Sequence, residues 1–189
     1  MSIPLTFSGR VALIAGGGGG IGLNIAHDLL AAGLDVVLAD RKPKPDGIDG
    51  EYGNTFFLQG DLSDEKFVIE LVETARQRFG RVDYLVNTTG VLWFDQDASF
   101  ATIDLDLWDR VFEINLKSFV LTARHVIPLM LKQGGGAMVH FPLSMPCAGI
   151  RIRRMRMPSQ RRPSFGFRNR LLCSTPIAIF ARMLSLIHI

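Results

Sequence analysis

Five consecutive glycines, 16 to 20, followed by Gly22, stand between a short apolar run, Val11–Ala15, and a stretch whose apolar residues Ile21, Ile25, Leu29 and Leu30 recur at helical spacing. A flexible glycine linker joins separate units; it does not sit directly between an apolar strand and an amphipathic helix. Gly16, Gly20 and Gly22, in the spacing G-x-x-x-G-x-G, instead suit a sharp turn with no Cβ in the way. There, backbone N–H groups at a helix start can approach a pyrophosphate closely. The arrangement predicts strand, loop and helix, with a dinucleotide over the turn.

The cycle repeats along the chain. Residues 36 to 40 (VVLAD) and 55 to 58 (TFFL) read as strands, separated by a polar loop running through Asn54. A helix is expected over 64 to 79, capped by Ser63 or Asp64, closed by Gly80, with Phe67, Leu71 and Val72 facing inward. Residues 82 to 87 (VDYLVN) form a fourth strand. A long helix over 106 to 132 carries an apolar stripe of Trp108, Val111, Phe112, Leu116 and Val120, and residues 137 to 141 (AMVHF) form a fifth strand. Strands alternating with helices imply an α/β fold, a Rossmann-type doubly wound parallel sheet covered on both faces.

Charge divides the chain. Residues 1 to 141 hold 12 Lys+Arg against 18 Asp+Glu, whereas residues 142 to 189 hold nine Arg, no Lys and no acid. Both cysteines, Cys147 and Cys173, fall in the second part, so the acidic part has no thiol for a disulfide or a thiolate metal site, and no metal is expected. No apolar run reaches membrane-spanning length and no signal-peptide pattern opens the chain; a cytoplasmic location without membrane association is the expectation.

Asp40 ends the second strand, 18 residues after Gly22, where a carboxylate can accept hydrogen bonds from ribose hydroxyls and repel a 2′-phosphate. This favours NAD, while Arg41 beside it leaves NADP open. An ordinary cap or turn aspartate is the alternative.

These motifs together resemble the short-chain dehydrogenase/reductase family over residues 8 to 141. Ala15-Gly16 through Gly20-Ile21-Gly22 resembles the family's T-G-x-x-x-G-I-G, with alanine for threonine. Asp61-Leu62 resembles the pair that contacts adenine, although Asp61 can equally cap the next helix. Asn87-Thr88-Thr89-Gly90 resembles the N-N-A-G that stabilises the sheet beside the cofactor. Asn115 resembles the asparagine that holds a water in the family's proton relay, and its apolar neighbours Ile114 and Leu116 suit a buried, hydrogen-bonded site. The resemblance implies Gly16, Gly20, Ile21, Gly22, Asp40, Arg41, Asp61, Leu62, Asn87 and Gly90 at the cofactor and Asn115 in catalysis. It implies hydride transfer between nicotinamide and a small-molecule alcohol or ketone, in enzymes that commonly assemble as homo-oligomers through the long helix and its successor.

The family's serine after the fifth strand and its Tyr-x-x-x-Lys are missing. The tyrosines are Tyr52 and Tyr84, the last lysine is Lys132, and Pro142-Leu143 stand where Ser-Ser is expected, with Ser144 displaced. The tail reads as a disordered basic arm, or as out-of-frame sequence. A frame displaced by two bases permits Ser-Ser across residues 141 to 143, and Tyr and Lys four residues apart across 156 to 161. Residues 184 to 189 match what a transposase-end sequencing adapter encodes. The domain reading is therefore 1–141 for the dinucleotide-binding unit, 142–183 for an out-of-frame tail and 184–189 for adapter-derived residues. The chain as written is expected to be inactive, with the stripe Trp108, Phe112 and Leu116 left partly exposed. The alternative is a catalytically silent dinucleotide-binding protein. Clustered arginine also attracts phosphate, but a nucleic-acid partner is not expected from an Arg-rich segment alone. Trp93 and Phe94 are candidates for lining the substrate side or, equally, for the core.

Overall fold

A computed structural model describes residues 7–48, 54–93, 95–96, 101–141 and 185–188. The elements run β1 (Val11–Ala15), α1 (Gly20–Ala31), β2 (Asp35–Asp40), β3 (Thr55–Gln59), α2 (Glu65–Phe79), β4 (Tyr84–Asn87), α3 (Leu105–Phe112), α4 (Ser118–Lys132), β5 (Ala137–His140) and β6 (Ser185–His188). Sheet order is β3-β2-β1-β4-β5-β6. The first five strands are mutually parallel, with Leu13 opposite both Val37 and Leu85 in register. The order reverses between β1 and β4, which opens a crevice at the carboxyl ends of those strands.

The strands read as unbroken apolar runs because helices bury both sheet faces. One layer packs Leu13, Val37 and Leu85 against Leu71 of α2 and Met130 of α4. The other packs Ile14, Leu38 and Val86 against Ala26, Leu29 and Leu30 of α1. Helix α2 is capped by Asp64, whose side chain accepts from Lys66 N, and ends at Gly80 with φ 77°. No helix among the described residues is long and apolar enough to cross a membrane.

Several expectations are corrected. The helix expected over 106 to 132 is interrupted: α3 passes into a π-helical turn, Glu113–Lys117, before α4 begins. Phe112 and Leu116 of the apolar stripe are 45% and 49% exposed, in line with the expected partial exposure; Val120 is 51% exposed too, while Ile114 is buried. Ile21 is likewise exposed, because the buried line of α1 runs through Gly22, Ala26, Leu29 and Leu30. The fourth strand begins two residues late, although Asp83 still pairs through its backbone with Val11 and Ala137. Ser185–His188 pairs antiparallel with β5.

Asp83 anchors the opposite end of the sheet. Its carboxylate accepts from the backbone N–H groups of Arg10 (2.7 Å) and Val11 (3.0 Å) and pairs with Arg81. Burial pushes this carboxyl up, but the Arg81 bonds and the two backbone donors outweigh it and hold it below 3.8. A depressed folded-state pKa means that Asp83 stabilises fully above its unfolded value and that this contribution is lost as pH falls through the folded value. Asp83→Asn is expected to lower the melting temperature at pH 7 by roughly 4–10 °C and to flatten its decline below pH 4, as measured by thermal melts from pH 2.5 to 7.

Candidate dinucleotide site

The loop after β1 folds back against β2 and β4. Gly16 N and Gly17 N both donate to the Ala39 carbonyl, at 2.8 and 3.1 Å. The Thr88 hydroxyl lies 3.1 Å from the Ala15 carbonyl and 3.0 Å from that of Gly16, with one proton to share between them. Glycine is required here by contact. A Cβ on Gly16, whose φ is 90°, would stand 2.7 Å from Thr89 N; one on Gly22 would run into the Gly16 carbonyl and lie 2.6 Å from Thr88 Oγ1. Gly20, with φ 53°, has no atom within 4 Å of its Cβ position, so the cradle is open on that side. Helix α1 starts there with no side-chain cap and no acid in its first turn. Its leading N–H groups and positive dipole end are therefore available to an anion.

Asp40 is fixed at the rim. Its two carboxylate oxygens accept from Gly18 N and Lys42 N, each at 2.9 Å, which leaves acceptor capacity on both for a ligand hydroxyl. Asp61 takes the Ser63 hydroxyl (2.6 Å) and backbone N–H (2.9 Å) on one oxygen and faces Arg110 at 3.6 Å with the other. Partial burial pushes its carboxyl up, but the Ser63 bonds and the nearby Arg110 and Arg41 charges prevail, holding it below the usual value. The capping role that Asp61 could have played belongs to Asp64.

Asn87 is 1% exposed, and its Oδ1 lies 2.8 Å from the Thr122 hydroxyl of α4, whose one proton is shared with the Ser118 and Phe119 carbonyls. Asn115 lies half-buried in the π-helical turn. Its Oδ1 accepts from Val91 N (2.8 Å) and its Nδ2 donates to Val91 O (3.1 Å), so both amide atoms clamp the loop after β4. In this structure both amide atoms of Asn115 are bonded to the main chain of Val91.

A cleft of about 300 Å³ brings together Gly16, Gly20, Ile21, Gly22, Asp40, Arg41, Asp61, Leu62 and Gly90. Asn115 sits behind it, holding the Val91 segment of its wall. Sequence reasoning missed Lys42, Thr88, Thr89 and Ile114, which also line the cleft; only Thr88 and Thr89 carried a signal, as departures from N-N-A-G. Trp93 is half-buried. Phe94, Ser144, both cysteines and the arginine-rich tail lie outside the described residues.

These residues suit a dinucleotide: a cradle that a Cβ would fill, an uncapped helix start and a tethered carboxylate at the rim. The comparisons agree in kind. The family model described as short chain dehydrogenase matches residues 10–142. The short chain dehydrogenase adrF of Penicillium rubens is 35% identical over 130 residues, 69% of this chain and 50% of that protein. A short-chain type dehydrogenase/reductase from Mycobacterium ulcerans superimposes with a TM-score of 0.66 at 26% identity, covering 72% of this chain and 52% of that one. An NADH-dependent reductase A1-R′ complexed with NAD gives a TM-score of 0.60 at 26% identity, covering 66% and 53%. The chain spans about half the length of the curated relatives it matches. With five parallel strands in the order described and the family's motifs on the matching turns, the chain belongs to the short-chain dehydrogenase family.

Proposed function

We propose that this chain is the cofactor-binding part of an NAD-dependent oxidoreductase that moves hydride between nicotinamide and an alcohol or ketone carbon, and that as it stands it binds the dinucleotide without turnover. The observation that carries this reading is the Gly16–Gly22–Thr88 cradle before the uncapped start of α1, with Asp40 tethered beside it. The nicotinamide supplies hydride acceptance or donation when bound. The chain's own residues do the rest: the leading N–H groups of α1 hold the pyrophosphate, Asp40 accepts from ribose hydroxyls and repels a 2′-phosphate, and Asp61 with Leu62 borders the adenine. Asn87 and Asn115 hold the floor and wall in place, with Gly90 between them.

Proton transfer is what the chain lacks. After Lys132 it has neither tyrosine nor lysine, so no group of the family's acid/base type follows β5. That specific feature also favours the second reading, a silent dinucleotide-binding protein.

Asp40 decides the cofactor. Each hydrogen bond to a charged group is worth ~1.5–3 kcal/mol, so Asp40→Ala is expected to weaken NAD binding by about 10- to 100-fold. With Arg41 and Lys42 beside it, the same change is expected to tighten NADP binding. Calorimetric titration with both dinucleotides checks this. Equal loss for both would contradict the role of Asp40 in discrimination.

A further inference from the structure

Three side-chain polar atoms among the described residues are buried with no hydrogen-bond partner on the protein: Asn87 Nδ2, Thr89 Oγ1 and His140 Nδ1. Such atoms cost free energy unless something satisfies them, and two of the three are neighbours across the sheet. Asn87 and His140 are register partners at the ends of β4 and β5. Asn87 is bonded to Thr122 of α4 at 2.8 Å, and the His140 ring stacks on Phe119 of the same helix, with centroids 3.7 Å apart and planes at 25°. Both side chains therefore lie on the sheet face under α4. Thr89, two residues beyond Asn87, lines the cleft together with Ile114 of the π-helical turn that leads into α4.

We infer that Asn87, Thr89 and His140 enclose an internal water site at the carboxyl ends of β4 and β5. The donor set selects the ligand. An amide N–H donates, an imidazole nitrogen accepts and a hydroxyl does either, with no carboxylate among them. The Asn87 amide N–H can only donate and so does not face a cation, and the set suits a small neutral molecule that both gives and takes hydrogen bonds. One water accepts from Asn87 Nδ2, donates to His140 Nδ1 and exchanges a third bond with Thr89 Oγ1, the usual number for a buried water. Acceptance at Nδ1 requires a neutral ring with its proton on Nε2. Burial favours the neutral ring by pushing the His140 pKa below its ordinary value. The water ties the two strand ends together below the Thr89–Gly90 floor, a site independent of whether a dinucleotide is bound.

The test is nitrogen-15 NMR of the full chain at pH 7, with water-to-amide cross-relaxation. The expected result is a His140 ring protonated on Nε2, and cross-relaxation from a long-lived water to the Asn87 side-chain amide. His140→Leu is expected to abolish that cross-relaxation and lower the melting temperature by roughly 3–6 °C. His140→Asn, whose Oδ1 can replace the Nδ1 acceptor, is expected to keep both. A proton on Nδ1, no water signal at Asn87, or a signal unchanged in His140→Leu would overturn the site. The tautomer is read on the unaltered chain, so a folding failure of His140→Leu leaves the test decisive.

Discussion

Gly22→Ala is expected to weaken NAD binding by about 100-fold. The added methyl meets the Gly16 carbonyl and the Thr88 hydroxyl, and the first is backbone that cannot step aside. Either the loop lifts from β4 or the start of α1 shifts, and each moves the N–H groups that face the pyrophosphate. Losing one or two charge-assisted hydrogen bonds at ~1.5–3 kcal/mol each corresponds to roughly 10- to 20,000-fold in Kd, and 100-fold lies at the lower, partial-loss end of that range. Gly33→Ala is the matched control. Gly33 has φ 84° and nothing within 4 Å of its Cβ position, so alanine there is strained by conformation alone. It is expected to lower the melting temperature and leave Kd unchanged. Calorimetry and thermal melts on the two variants separate them; an unaltered Kd in Gly22→Ala would remove the glycine cradle from the site.

Much of the sheet was legible because a strand buried on both faces is a short unbroken apolar run, as in Val11–Ala15, and because Gly80 and Asp64 punctuate α2 as end and cap. The glycine turn was legible because close approach and positive φ admit almost no other residue. The long helix was less so. Periodicity marks Phe112, Leu116 and Val120 as one apolar face, but it does not say what covers that face, and in the structure they are exposed. The π-helical turn at Glu113–Lys117 has no residue type that announces it; it surfaces only as the placement of Asn115 against Val91. Thr88 reads in sequence as a loop residue that departs from a motif. Its work, bonding two carbonyls of the glycine loop across 72 and 73 positions of chain, depends on the fold.

Restoring the frame near the codons for Phe141 and Pro142 is expected to create activity where the present chain is expected to show none above background. The displaced frame permits Ser-Ser after β5 and Tyr and Lys at the four-residue spacing of the family's acid/base pair. Positioned general acid–base catalysis contributes ~100- to 10,000-fold by itself, and correct orientation of the carbonyl adds more. Nicotinamide absorbance followed with a panel of alcohols and ketones should therefore show turnover at least ~1,000-fold above the present chain. Binding should change far less, because the cradle, Asp40 and Asp61 all precede residue 142. Dinucleotide binding with no turnover in the restored protein would favour the silent-binder reading. An uninterrupted reading frame encoding this same tail at its source would remove the frame-error account.

The most direct measurement is a calorimetric titration of the unaltered chain with NAD and with NADP. Saturable binding of one NAD per chain, at least about tenfold tighter than NADP, is the result the glycine cradle and the tethered Asp40 require. No heat of binding at millimolar NAD, or tighter binding of NADP, would contradict it.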